Sequence, residues 1–186
     1  ALHRLQKADE LKAYLASDPV FDKSRPENEF EFAKYQSQHG FAFEAVTRLY
    51  RLFRQHPNDA KIAGYFLSSL LLGEDISGRL AVDAVVPGSA VVLSRSGDSR
   101  TVAVELRDLP TMTTWPEVLS ANIPQTASIA GKTVGEKVVF DTGMNKVEYE
   151  ISGIEHIFLF ASRKAHELIA ATAIPAGPLW SVRVVK

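Results

Sequence analysis

The chain has 186 residues, 46% of them hydrophobic and 23% charged, enough for one large domain or two small ones. Twenty-one Lys and Arg stand against 22 Asp and Glu, which speaks against a dedicated nucleic-acid-binding domain with its usual basic excess. There is no cysteine, so disulfides, thiolate metal sites and cysteine nucleophiles are excluded.

Residues 1–78 carry helical periodicity. Leu2, Leu5, Leu11 and Leu15 form one stripe, ended by Ser17-Asp18-Pro19. Ser24-Arg25-Pro26-Glu27 reads as a cap with Pro in the first turn. The second helix it opens holds Phe30, Phe32, Ala33 and Tyr35 and closes at Gly40. A third helix places Ala42, Ala45, Val46, Leu49, Leu52 and Phe53 on one broad apolar face, and His56-Pro57-Asn58-Asp59 breaks it. A fourth runs from Ala60 through Phe66 and Leu70 to Gly73. The period changes at Asp75-Ile76-Ser77-Gly78, beyond which apolar residues alternate as in strands. The expected strands are Leu80–Val86, Ala90–Arg95, Thr101–Arg107, Lys137–Asp141 and Lys146–His156, with turns at Pro87-Gly88, Ser96-Gly97-Asp98 and Thr142-Gly143. A short helix fits Gln125–Ala130. A helix over Arg163–Ala171 follows, then Pro175-Ala176-Gly177-Pro178 and a strand over Leu179–Val185.

In the helical half, Ala45, Leu49, Leu52 and Pro57, with Phe32 and Ala33 before them and Ala63 and Phe66 after, are spaced as in a tetratricopeptide repeat. That family has a period of about 34 residues, and residues 27–73 resemble one and a half repeats of it. Leu67 stands where the family has a small residue. A lone helical hairpin cannot bury its apolar face, so these helices must stack on something else.

Four blocks in residues 88–156 carry the most specific signal. They are Gly88-Ser89-Ala90-Val91-Val92-Leu93, the run from Ser120-Ala121-Asn122-Ile123-Pro124 to Gly131-Lys132, Val134-Gly135-Glu136-Lys137-Val138, and Val147-Glu148-Tyr149-Glu150-Ile151-Ser152-Gly153-Ile154-Glu155-His156. Read alone, Pro124 forces Ile123 to extended geometry and suits a first helical turn. Gly131 suits a left-handed cap, and Gly135 a tight turn. In order and spacing the blocks resemble the C-terminal domain of the GreA/GreB transcription elongation factors. The resemblance implies a curved antiparallel sheet wrapped on a short helix, like the FK506-binding proteins. It also implies docking on RNA polymerase through the surface around the second block, here Asn122, Ile123 and Pro124, with Ile123 where the family has Ser. The family's long N-terminal coiled coil with its acidic tip has no counterpart, since Pro19, Pro26, Gly40 and Pro57 interrupt the helical half. Transcript cleavage is therefore not expected.

Other chemistry is sparse. His3, His39, His56, His156 and His166 form no metal-ligand pair, and no nucleotide or nucleophile motif is present. Trp115, Phe140, Tyr149, Phe158, Phe160 and Trp180 could line a prolyl-isomerase pocket, although core packing explains them better. No stretch reaches the ~20 apolar residues of a membrane helix, and charges throughout residues 1–20 fit no signal peptide.

The expectation is an α+β chain: helical hairpins over 1–78, a GreA/GreB-like domain over 79–156, and a helix-strand extension over 157–186 packing on one of these. Its expected role is that of a cytoplasmic, non-enzymatic protein-interaction module without cofactor, metal or small-molecule ligand. RNA polymerase is the implied partner, nucleic acid is met only through it, and there is no membrane contact. A scaffold or cap of a larger repeat protein and a prolyl isomerase are the alternatives. The opening Ala1 reads as a cut from a longer polypeptide.

Overall fold

The structure is a computed structural model that describes residues 2–17, 19, 21, 25–72, 76–109, 115–141 and 146–172. Four helices come first: α1 (Leu2–Ala16), α2 (Pro26–Gln38), α3 (Ala42–Gln55) and α4 (Ala60–Leu72). Arg25 precedes Pro26 without a side-chain cap, and the expected cap Ser24 lies outside the described residues. The α2–α3 turn depends on Gly40 at φ 86°, a left-handed backbone that other residues resist. A 3-10 turn (Ser77–Arg79) leads into the second half.

That half contains β1 (Ser89–Arg95), β2 (Asp98–Val104), β3 (Val118–Leu119), α5 (Pro124–Ile129), β4 (Lys137–Asp141), β5 (Lys146–His156) and α6 (Ile157–Thr172). The five strands form one sheet in the order β3-β2-β1-β5-β4. All pairings are antiparallel except β2–β3, where Ala103 pairs with Val118 in parallel, so the expected antiparallel sheet is mixed at one edge. β4 and β5 have the expected bounds, and β2 starts three residues early, directly after the two-residue Ser96-Gly97 hairpin turn.

Two expectations of element placement need correction. Leu80–Val86 is not a strand: it alternates but finds no neighbouring strand. Val85 bonds through its N–H to Lys132 O and through its C=O to Gly131 N–H, both at 2.8 Å, while Leu80 and Val86 bond to the adjoining turns at Ile76, Ser77 and Ser89. The last helix starts at Ile157, not Arg163, continuing from β5 without an intervening residue. The two-residue β3 was not foreseen. The strand expected over Leu179–Val185 lies outside the described residues.

The sheet has two buried faces. On one, Ala90 and Ala103 pair across β1 and β2, and their small side chains let the helices approach. Here α3, α4 and α6 bury Val46, Leu49, Phe53, Phe66, Phe158 and Ala161 in a single cluster that also takes in Trp115 and Val118. Each fully buried large apolar side chain is worth about 1.5–3 kcal/mol. On the other face Val91, Leu93, Val102 and Val104 join Val138, Phe140, Tyr149 and Ile151, closed by Ile129 of α5. Arg100 lies over the Phe140 and Tyr149 rings at 4.9 and 4.4 Å.

β5 serves this second face from Val147 to Ile154 through a bulge. Val92 pairs with Gly153 but Leu93 with Ile151, which leaves Ser152 extra. One extra residue inverts the alternation, so Val147, Tyr149, Ile151 and then Ile154 all pack on the same cluster. Ser152 Oγ is held by Ser94 Oγ at 2.7 Å and donates to Val92 O at 3.2 Å.

Gly88 joins β1, β2 and α6. Its N–H donates to Val104 O at 2.9 Å and its C=O accepts from Ile157 N–H at 2.7 Å. Its φ is +91°, and a Cβ there would meet Leu106 Cδ2 at 3.0 Å.

Helices and sheet are also joined by a buried ionic cluster. Arg54 of α3 donates through Nε to Glu105 Oε2 at 2.7 Å, with side-chain exposures of 0% and 3%. Tyr50 OH and Leu106 N–H donate to Glu105 Oε1 at 2.6 and 3.0 Å. The Arg54 guanidinium stacks on Trp115 at 4.3 Å. Burial and the adjacent carboxylate hold the Tyr50 phenol well above its ordinary range, so it remains a donor. In the Glu105→Gln variant the guanidinium would be buried without a counter-charge. Urea denaturation is expected to show a loss of about 3–5 kcal/mol, and a loss under about 1 kcal/mol would refute this role for the pair.

Candidate functional site

The residues singled out by sequence lie together in one turn before α5. Ile123 is extended (φ −95°, ψ 156°), as the residue before a proline must be, and Pro124 opens the helix. Asn122 and Pro124 are exposed, and Ile123 is half-buried. The turn is tied from both sides. Thr126, itself buried, donates its Oγ1 to Ser120 O at 2.7 Å, and Ala127 N–H donates to Ile123 O at 3.2 Å. Ile129 then anchors α5 in the sheet core. The result is a fixed edge with an amide and a pyrrolidine ring facing solvent and an isoleucine between them. It has a shape suited to contact and no group suited to proton or group transfer.

The aromatic residues weighed for an isomerase pocket do not converge. Phe140 and Tyr149 belong to one core, Trp115, Phe158 and Phe160 to the other, and Trp180 lies outside the described residues. Among the described residues no group of three His, Asp or Glu side chains could hold a metal ion. No described helix is long and apolar enough to cross a membrane.

His156 has a role that the sequence did not disclose. It ends β5, and its Nδ1 accepts from Phe158 N–H at 3.2 Å, so the ring caps α6. Its ring packs on Phe158 at 4.3 Å and on Phe43 at 5.8 Å. The only sequence signal was a histidine at a strand end before an apolar run. Burial lowers its pKa from 6.5 to about 4.

No family model matches the chain, and no curated protein matches it. The tetratricopeptide-like spacing at 27–73 therefore stands on sequence alone. Solved structures with similar folds include the prokaryotic transcription elongation factor GreA/GreB from Nitrosomonas europaea. It is 15% identical over 42% of this chain and 65% of that one, with a TM-score of 0.33, so this chain spans just under two thirds of its length. GreA factor homolog 1 (Gfh1) of Thermus thermophilus is 20% identical over 71% of this chain and 93% of that one, at 0.34. Thermus aquaticus Gfh1 is 21% identical over 82% and 84%, at 0.35. Likeness at this level assigns neither a partner nor an activity.

The His156 pKa makes stability depend on pH. Above pH 6.5 the ring is neutral in both folded and unfolded states. As pH falls from 6.5 to about 4, the unfolded chain takes up a proton that the folded chain refuses, and stability is lost. The full loss is about 3 kcal/mol. His156→Asn keeps an acceptor at the cap without titrating. The stability of the natural chain minus that of this variant, from denaturation at pH 7 and pH 4, is expected to fall by that amount. A constant difference would show that burial does not hold the ring neutral.

Proposed function

We propose that the chain is a non-catalytic protein-interaction module that binds RNA polymerase through the turn at Asn122, Ile123 and Pro124 and modulates transcription elongation without cleaving the transcript. In this reading residues 79–156 are the docking domain, residues 1–78 a helical segment, and the extension from 157 a brace between them. Polymerase is the partner, and nucleic acid is met only through it.

The observation that carries the reading is the exposed, rigidly tied turn inside the second of the four GreA/GreB-like blocks. Asn122 and Pro124 are outside both cores, although α5 beside them is well anchored. Two side chains that lie outside the cores, on a fixed edge, suit recognition. The other three blocks supply the frame: the β1 start at Gly88, the turn at Gly135 (φ 89°), and the bulged β5. Transcript cleavage forms no part of the proposal because it requires a long coiled coil, whereas the longest described helix, α6, has 16 residues.

The test is capture of purified bacterial RNA polymerase on the immobilised chain at micromolar concentration. Binding is expected, and Asn122→Ala and Pro124→Ala should each weaken it about fivefold or more. Asn122→Ala should retain stability within about 0.5 kcal/mol because its side chain is exposed, and Pro124→Ala within about 1 kcal/mol, since its ring also restricts the unfolded chain. No binding by the natural chain ends the polymerase reading. Binding unaffected by both substitutions moves the contact elsewhere.

A further inference from the structure

An open groove of about 560 Å³ lies where α4, α6 and the 3-10 turn meet. Its walls are aliphatic: Leu67, Leu70 and Leu71 of α4, Leu159 of α6, and Ile76 and Leu80 on either side of the 3-10 turn. A single exposed leucine is ordinary on a protein surface. Here Leu71 is 86% exposed and Leu159 38%, and both border one groove with the four better-covered aliphatic side chains. A contiguous apolar patch of that kind marks a contact surface.

The polar groups of the groove narrow what fits it. Among the described residues that line it there is no Asp, Glu, Lys or Arg, so a charged ligand finds no ion-pair partner. Ser68 and Ser162 donate their hydroxyls to Gly64 O and Leu159 O of their own helices, both at 2.8 Å, and their oxygens remain acceptors. Aliphatic walls with neutral acceptors suit an extended apolar peptide, whose backbone N–H groups need acceptors.

The chain itself carries such a segment within reach. α6 brings Leu159, Ser162 and His166 to the groove and ends at Thr172, after which residues 173–186 follow. At about 1.5 Å per residue, the end of α6 lies about 9 Å beyond His166. Residues 173–178 can span up to about 20 Å at about 3.3 Å per residue, and they include Pro175, Gly177 and Pro178, which suit a reversal of direction. Leu179 can therefore start beside His166, and the extended stretch from Leu179 to Val182 matches the roughly 10 Å from His166 to Leu159 along α6. Trp180, Val182 and Val184 alternate with Ser181 and Arg183, so this stretch, when extended, has one apolar and one polar side. An open groove needs a segment with one side to bury and one to leave in water.

We propose that Leu179–Val185 turns back antiparallel to α6 and docks in this groove, with Trp180, Val182 and Val184 on the leucines and Ser181 and Arg183 facing solvent. The docked segment straps α6 to α4. This docking uses neither polymerase binding nor the Asn122–Pro124 turn.

The natural sequence has no cysteine, so an introduced pair reports proximity without interference in the full chain. In Ser162→Cys/Val182→Cys, oxidation at low micromolar concentration should close an intramolecular disulfide at least about tenfold faster than in Glu148→Cys/Val182→Cys. Position 148 is at the end of β5 remote from α6. Mass spectrometry of the digest identifies the bond, and a non-reducing gel separates it from a bond between two chains. Leu71→Asp places a charge in the groove at an exposed position that the fold tolerates. It should raise acrylamide quenching of Trp180, read as the difference from Trp180→Phe, about twofold or more. Equal rates for the two cysteine pairs would overturn the proposal, as would a bond formed mainly between chains or Trp180 quenching unchanged by Leu71→Asp.

Discussion

A carboxylate cannot be left in an apolar interior without compensation, and the packing of helices on sheet is arranged around one that is not. Glu105 leaves the end of β2 into the space beneath α3, where Arg54, Tyr50 and the Leu106 N–H meet both of its oxygens. Each of these partners is directional, whereas the surrounding contacts among Phe53, Phe66 and Phe158 are not. Apolar burial supplies most of the attraction between the two layers. The ionic cluster selects one rotation and one height of α3 over the sheet, because any slippage would leave charge buried without a partner. The outer nitrogens of Arg54 have no hydrogen-bond partner, so its stacking on Trp115 and the single Glu105 contact carry the whole charge.

The rest of the architecture follows from getting helices close to one sheet face while keeping the other closed. Alanines at 90 and 103 open the first face, and valines at 91 and 102, one position along, fill the second. The bulge at Ser152 returns Ile154 to that second face, where an unbroken alternation from Ile151 would have placed Gly153. The turn at Asn122–Pro124 is a by-product of the same packing. Ile129 and Thr126 fix α5 from below, and the residues before it are fixed without being covered.

Local pattern was legible where local pattern decides. β4 and β5 were read correctly because alternation and flanking turn residues agree, and α3 because its apolar face is continuous. Leu80–Val86 alternates equally well but has no neighbouring strand to form a ladder with, and pairing is a property of distant chain. The start of α6 was hidden because Ile157-Phe158-Leu159-Phe160 is apolar at every position and has no period. The exposed turn at Asn122–Pro124 was visible through the backbone constraint of Pro124. The ionic cluster was not, since Arg54 and Glu105 are 51 residues apart and each looks like an ordinary surface charge.

One junction has mechanical meaning. β5 becomes α6 at the bond between His156 and Ile157, with no residue left over to act as a joint. The first helical N–H is already bonded to Gly88 at the start of the neighbouring strand. At about 1.5 Å per residue, the 16 residues of α6 form a rod on the order of 24 Å long. A tug or a tilt at its far end is therefore not absorbed by a linker. It arrives as torque on the central β1–β5 ladder, which makes the helix a lever fixed to the middle of the sheet.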